Sequence, residues 1–356
     1  MSKLLIYPFT IETAPILRYK ELINQYDEII PVTEWNSWGE SELVDISHFD
    51  GGHHNDVKVS SDFNFAIRYA DSVLITCDVN DCNNLRDVIE CCKRFGKHIF
   101  VYEDDFKVLE AEAEGITVFK AENAYSNTKV EYESKLLDIP VPVILVTGQG
   151  QQCNKFDIQL NLRKKFQKDG YIVSQFGTKE YSPLFGFEAL PKFLNVPFWK
   201  KVLLYNKIFS DCVYKENPDV LIVGAPGGTM QIDDYNHEMF GESAIALSVS
   251  LKPDILIHSL YCALTNDDEI EEMQNHSKYA LGANIDFFNI SNTNLIFESD
   301  KRTISYLVGD SKLVLPELYS KSENLTKSIY NTFDNDSADS LFKRLLTKLQ
   351  SNIEVV

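Results

Sequence analysis

The sequence predicts an α/β protein made of two mostly parallel-sheet domains, and three observations predict it. Short apolar, β-rich runs alternate with helical patterns along most of the chain, the order expected when helices cover both faces of a parallel sheet. The run at 143–147 is apolar almost throughout, as strands buried on both faces are. A polar stretch at 123–138, followed by Ile139-Pro140-Val141-Pro142, interrupts the alternation and marks a domain boundary. At 356 residues the chain also exceeds a usual single domain. The expected division is a first domain at 1–125, a linker at 126–139 and a second domain at 140–311. A polar extension at 312–356 follows, with one amphipathic helix near 337–349 that either packs back or binds a partner.

In the first half, residues 4–9 read as a strand, 14–23 as a helix and 28–33 as a second strand. The apolar run at the N-terminus is too short for the core of a signal peptide and Pro8 ends it, so it reads as a buried strand. After an irregular polar stretch come a strand at 72–77, a helix at 84–95 and a strand at 98–102. A helix at 106–114 and a strand at 116–119 complete the unit. The turn Cys77-Asp78-Val79-Asn80-Asp81 carries the Asp and Asn residues favoured at helix N-caps. This layout is Rossmann- or flavodoxin-like.

The second half opens with the strand at 143–147, followed by a helix at 155–168 that Asp169-Gly170 closes. A strand at 171–176, a loop with Leu184-Phe185-Gly186-Phe187 and an aromatic-rich helical stretch at 198–214 come next. Strands at 219–223, 254–259 and 285–290 then alternate with helices at 242–251 and 267–281. The aromatic stretch at 185–209 reads chiefly as core, with a peptide-docking surface as the alternative. No internal repeat is present.

The most informative segment is Thr147-Gly148-Gln149-Gly150-Gln151-Gln152-Cys153-Asn154-Lys155-Phe156-Asp157. A strand, a glycine-containing turn, a lysine and a helix follow in the order a phosphate-binding loop needs. Glycines let backbone N–H groups turn toward phosphate, the helix N-terminus adds positive potential, and the lysine reaches terminal oxygens. Two departures stand out: Asn154 replaces the glycine before the lysine, and Phe156 replaces the magnesium-binding Ser or Thr. Asp157 is the nearest oxygen ligand on the helix, and a carboxylate beside a triphosphate is unfavourable unless a metal lies between them. The reading that needs no ligand is a strand-to-helix turn with a solvated lysine.

A second glycine loop, Gly224-Ala225-Pro226-Gly227-Gly228-Thr229, follows a buried strand where a magnesium-anchoring acid or a switch loop would sit. That strand ends in Gly224, so the usual carboxylate is missing, with Asp233 or Asp234 as substitutes. Its glycines permit close backbone approach to a ligand or make a tight crossover turn. The expected site is therefore Gly148, Gly150, Asn154, Lys155 and Asp157 on one wall and Gly224, Gly227, Gly228 and Thr229 on the other. Its expected ligand is ATP or GTP with Mg, or another phosphorylated molecule, bound without the usual catalytic groups.

Three further candidates are weaker. The loop Asp45 to Asp56 gathers His48, Asp50, His53 and His54, residue types that suit zinc or iron, but solvated Asp/His/Gly loops are common and no second cluster accompanies it. Cys153, beside a helix start and a lysine, has the setting that lowers a thiol pKa, against the more frequent alternative of an inert buried thiol. His258-Ser259 ends an apolar strand at the sheet edge where α/β proteins bind ligands. Cys91 and Cys92 are adjacent on a helix and read as packing residues.

Composition narrows the partners. A formal net charge of −19 with no Lys/Arg-rich run argues against nucleic acid and membrane surfaces, and favours a basic peptide or a cationic patch on another protein. No apolar stretch is long enough to span a bilayer. Seven cysteines form no CxxC pair, the pattern of reduced thiols and a cytoplasmic location.

The combination TGQGQQCNKFDIQL, YIVSQFGTKEYSPLFGFEALP, PDVLIVGAPGGTM and KPDILIHS resembles the peptide maturation system proteins, across most of the chain. These are encoded beside small, often Cys-rich, bacteriocin-type precursor peptides. The resemblance implies an accessory role in making a ribosomally synthesised, modified peptide. It also implies the company of the precursor peptide, a radical SAM maturase, an acyl-carrier-related protein and an exporter. It carries over no catalytic residue. The alternatives are an ATP-dependent ligase or phosphotransferase acting on a peptide or carrier-bound substrate, with Asp157, Asp233 or Asp234 holding the metal, and a non-catalytic scaffold. The second half also looks like a distant relative of dethiobiotin-synthetase-like P-loop proteins, matching them at Gly148 and Lys155 and failing them at Asn154 and Phe156.

Overall fold

A computed structural model describes residues 2–33, 43–52, 57–76, 85–102, 116–119, 134–193, 195–262, 266–298, 303–311 and 328–353. The expected turn at 77–81, the helix at 106–114, most of the linker, and His53, His54, Asn55 and Asp56 lie outside these residues. The chain divides into two compact units: residues 1–122 with 179–189, and residues 123–178 with 190–356.

The first unit is built on five parallel strands, β1 (Lys3–Tyr7), β2 (Glu28–Pro31), β3 (Ser72–Ile75), β4 (His98–Tyr102) and β5 (Ile116–Phe119). They lie in the order β2-β1-β3-β4-β5, a flavodoxin-like order. In helix α2 (Leu85–Arg94), Leu85, Val88, Ile89 and Cys92 recur at the spacing of one helical face. That face meets Leu5, Val73, Ile75, Ile99 and Val101 of the sheet in one core. The helix expected at 14–23 is shorter: α1 (Ala14–Arg18) stops because Tyr19 takes a non-helical conformation, and a 3₁₀ turn, Lys20–Leu22, follows. Residues 43–45 and 58–60 form a small antiparallel hairpin that alternation alone did not indicate.

The strands of the second unit are β6 (Val143–Gly148), β7 (Val173–Gly177), β8 (Val220–Gly224), β9 (Ile255–Leu260), β10 (Phe287–Ile290) and β13 (Ile329–Tyr330). They run side by side in the order β7-β8-β6-β9-β10-β13, with the pairs of β8, β9 and β10 all parallel. Two-sided burial explains the continuous apolar runs. Val143 and Leu145 of β6 join the core with α4 (Phe198–Glu216) and α5 (Glu242–Leu251), and Ile144 and Val146 join the core on the other face. That second core holds Ile158, Leu162 and Phe166 of α3 (Lys155–Lys168) together with Leu341, Phe342, Leu345 and Leu349 of α7 (Asn335–Ile353). The amphipathic helix expected near the C-terminus thus packs back onto the sheet, next to strand β13.

Two further elements depart from the expected ones. The helix expected at 267–281 is α6 (Asp267–His276) continued by a π-helical turn to Leu281. Beyond β10, an antiparallel hairpin, β11 (Thr293–Glu298) with β12 (Thr303–Val308), occupies a stretch of the second domain to which the sequence assigned no element. The aromatic stretch divides: Phe193, Tyr205 and Phe209 are buried, whereas Phe198 and Trp199 face solvent.

Candidate functional site

The candidate site lies where the strand order of the second sheet switches sides. Strand β6 is central, with β8 on one side and β9 on the other, so the loops leaving all three C-terminal ends meet there. Such a switch point is where open α/β sheets hold ligands.

The loop from β6 to α3 is fixed by backbone and side-chain bonds to β9. Gln149 N–H donates to Ser259 O at 2.9 Å, and the Gln149 side chain accepts from Tyr261 N–H at 2.7 Å. Ser259 Oγ donates to Cys153 O at 2.5 Å, while Asn289 Nδ2 donates to Ser259 Oγ at 3.0 Å. Tyr261 reaches across to donate its hydroxyl to Gln151 O at 2.5 Å. Gly150 is required by this closeness: a Cβ there would collide with the Tyr261 hydroxyl. Burial first, then the nearby Cys153, Tyr306 and Glu238, push the Tyr261 phenol far above its ordinary range, so it stays a donor.

Lys155 opens α3 and is 6% exposed. Its ammonium is shared between the two glycine loops, donating to Gly150 O at 2.5 Å and to Gly227 O. Asn154, which precedes it, adopts the left-handed conformation (φ 59°) that the glycine of a standard loop supplies; asparagine tolerates it better than other side chains. Its Oδ1 is buried with no hydrogen-bond partner among the described residues, and its Nδ2 donates to Asp157 Oδ2 at 3.3 Å.

The second loop comes close to the first. A Cβ at Gly228 would overlap Gln149 O, so the two backbones approach closely there. Gly228 N–H donates to Glu238 Oε2 at 2.8 Å. Gly224 has a different purpose: the Gln159 amide of α3 fills the space its missing side chain leaves. Thr229 O accepts from His276 Nε2 at 2.8 Å and abuts Gly241, which ties that residue to α5 and α6.

Of the residues expected in the site, Gly150 and Gly227 accept from the Lys155 ammonium, Gly148 lies against the Lys155 stem, Gly228 meets Gln149 O, and Asn154 turns its side chain to Asp157. Gly224 and Thr229 are taken up by packing, and Asp157 is 2% exposed behind Asn154. Cys153 is fully buried and its Sγ donates to Gly150 O at 3.0 Å, which makes it a structural thiol of the loop. His258 lies on the strand beside Thr147, whose Oγ1 is 3.0 Å from His258 Nδ1. Burial first, and then the positive charges of Lys155 and His276, push the His258 imidazole down to about 3, so it is neutral at physiological pH.

The residues present do not fit a magnesium ion of the usual kind. Phe156 is in the core, Gly224 ends the strand where an acid belongs, and Asp233 caps its own turn by accepting from Tyr235 N–H at 2.7 Å and Asn236 N–H at 2.8 Å. Among the described residues, no group of three or more His, Cys, Asp or Glu side chains is placed to hold a metal.

Two features of the site had no signature in the sequence. Glu238 lies ten residues past Gly228 in a segment without a motif, and Tyr261 is brought in only by the adjacency of β9 and β6.

No protein-family model and no curated protein matches the sequence. Among solved structures, the chain is similar to a DUF1611 family protein from Anabaena variabilis, at 11% identity and a TM-score of 0.58, over 98% of this chain and 100% of that one. At that identity the likeness shows the α/β fold alone. A nucleotide-binding protein from Archaeoglobus fulgidus in complex with ADP is 14% identical over 56% of this chain and 84% of its own, with a TM-score of 0.32. A GTPase in apo form from Pyrococcus abyssi is 13% identical over 59% of this chain and 96% of its own, with a TM-score of 0.29. Scores that low carry no argument about fold or ligand. Among the described residues, no helix is long and apolar enough to cross a membrane.

Proposed function

We propose that the second unit binds the phosphates of a nucleotide, or of another phosphorylated ligand, between its two glycine loops, without the usual metal-dependent hydrolysis. The observation that carries this reading is the placement of Lys155: a buried ammonium at the first residue of the helix after the central strand, held by carbonyls of both loops. A lysine solvated at the surface, the alternative the sequence left open, would not be enclosed this way. The chain in which this site acts is an accessory protein of peptide natural-product maturation, working with a precursor peptide, a radical SAM maturase and an acyl-carrier-related protein. What supports that finer role is the resemblance of the loop-bearing segments to peptide maturation system proteins, together with an acidic surface suited to a basic peptide.

Calorimetric titration with ATP and GTP, with and without magnesium, tests the site beside Lys155→Ala. Binding to the wild type that the variant loses is the expected result. Absence of binding by the wild type would leave both loops as inherited architecture and the protein as a scaffold. Pull-down with precursor peptide and carrier protein, with and without nucleotide, then separates a scaffold from a nucleotide-dependent partner.

A further inference from the structure

We propose that Glu238 is a built-in anion that occupies the phosphate subsite between the two glycine loops and must swing out before a phosphorylated ligand can enter. The inference rests on the reading of the loops given above and adds to it a gate.

The carboxylate lies against both loops at once. Its Oε2 accepts Gly228 N–H at 2.8 Å. Its Oε1 is 3.0 Å from where a Cβ of Gly150 would stand, and its Oε2 is 3.2 Å from the corresponding point at Gly227. Backbone N–H groups of such loops are the donors that phosphate oxygens use. Here one of them is already satisfied by a carboxylate, and the Lys155 ammonium is satisfied by carbonyls. These two donors are thus occupied without a ligand. Yet the hold on Glu238 is weak: among the described residues no cation pairs with it, and the Gly228 N–H is its hydrogen bond. A diphosphate offers more acceptor oxygens and more charge to the same donors.

The segment bearing the acid is strained and exposed. Glu238, Met239 and Phe240 have φ of 44°, 50° and 53°, three successive non-glycine residues in the left-handed region that such residues enter singly. Met239 and Phe240 are 60% and 64% exposed, so burial does not offset the strain. The turn is held locally by His237, whose Nδ1 accepts from Met239 N–H at 3.1 Å and whose ring stacks on Phe240 at 5.3 Å. A strained surface turn that sends one carboxylate inward has a low cost of release and is suited to two states. Gly241 (φ 74°), directly after it, packs against Thr229 O at the start of α5 and so marks where the strained turn ends.

The test is titration of the full chain with inorganic pyrophosphate by calorimetry, for the wild type, Glu238→Gln, Glu238→Ala and Lys155→Ala. If the gate is closed about nine-tenths of the time, removing the acid tightens the apparent Kd about tenfold, since that Kd is the intrinsic one divided by the open fraction. A double variant, Met239→Gly with Phe240→Gly, relieves the strain of the closed turn and is expected to weaken pyrophosphate binding. Opposite signs from the two kinds of variant, with binding lost in Lys155→Ala, support the gate. Equal or weaker binding by Glu238→Gln, with Lys155 still required, would overturn the gate and leave the phosphate site standing. No binding by any form, with far-UV circular dichroism showing all of them folded, would sink the phosphate site and the gate together. Should the Glu238 variants fold poorly, the glycine pair decides: unchanged affinity refutes the gate.

Discussion

Acid should destabilise this protein through His258, and the size of the effect follows from its surroundings. The imidazole is 2% exposed, with Lys155 and His276 adding positive potential, and its pKa is pushed down to about 3 from an ordinary 6.5. In the unfolded chain the ring takes a proton below about pH 6.5, whereas in the native protein it does not until about pH 3. The unfolded state therefore binds more protons across that window, so stability is fully present above the upper value and falls as pH drops toward the lower one. At about 1.4 kcal/mol per pH unit, the loss between pH 7 and pH 4 is about 3 kcal/mol from this one group. His258→Gln keeps a polar side chain beside Thr147 Oγ1 but cannot take the proton. Urea denaturation of both proteins at pH 7, 6, 5 and 4, followed by circular dichroism, isolates the term, because all other titrating groups are common to both. The stability difference should shift in favour of the variant by about 3 kcal/mol over that range. Parallel pH dependences would refute the claim that His258 is buried and neutral.

Three other expectations concern packing. Gly150→Ala should cost about 1–3 kcal/mol and displace Tyr261, measured by denaturation and by a change in tyrosine fluorescence, because the added methyl meets the Tyr261 hydroxyl. Leu345→Ala should cost about 2–5 kcal/mol, since Leu345 is fully buried between α7 and the second sheet; a loss under about 0.5 kcal/mol would mean that the last helix is not docked. Under native conditions Cys153 should react with a thiol reagent far more slowly than the half-buried Cys212 and Cys262, as read by mass spectrometry of the labelled sites. Fast labelling of Cys153 would show that the loop opens readily.

Much of the second unit was legible because its signals are local. The run at 143–147 reads as a strand covered on both faces and is one (Val143–Gly148), and α3 begins at Lys155 and ends at Lys168 as the glycine at 170 implied. The first glycine loop could be located for the same reason, since Gly148, Gly150 and Lys155 lie within eight positions of one another. What the sequence hid was set by distant neighbours. Gly224 looks like a ligand-approach glycine, yet it is accounted for by Gln159, sixty-five positions earlier in the chain. Glu238 belongs to no pattern, and only the backbone strain at 238–240 and the direction of its carboxylate give it away. The hairpin β11–β12 was missed because alternation within six-residue strands is a weak signal next to the long apolar runs before it.

The division of the chain between its units has a consequence for anyone wishing to study one without the other. Residues 179–189 depart from the second unit's sequence to join the first, where the buried Tyr181 donates its hydroxyl to Glu12 O at 2.6 Å and Phe185 and Phe187 are also enclosed. The polypeptide thus changes unit three times rather than once, and the two are threaded rather than strung. A fragment cut near residue 123 leaves the first unit without that segment and the remainder still carrying it, with its aromatic side chains. Separating the units cleanly requires rerouting the chain: grafting the eleven-residue segment onto the first unit and bridging the gap it leaves in the second.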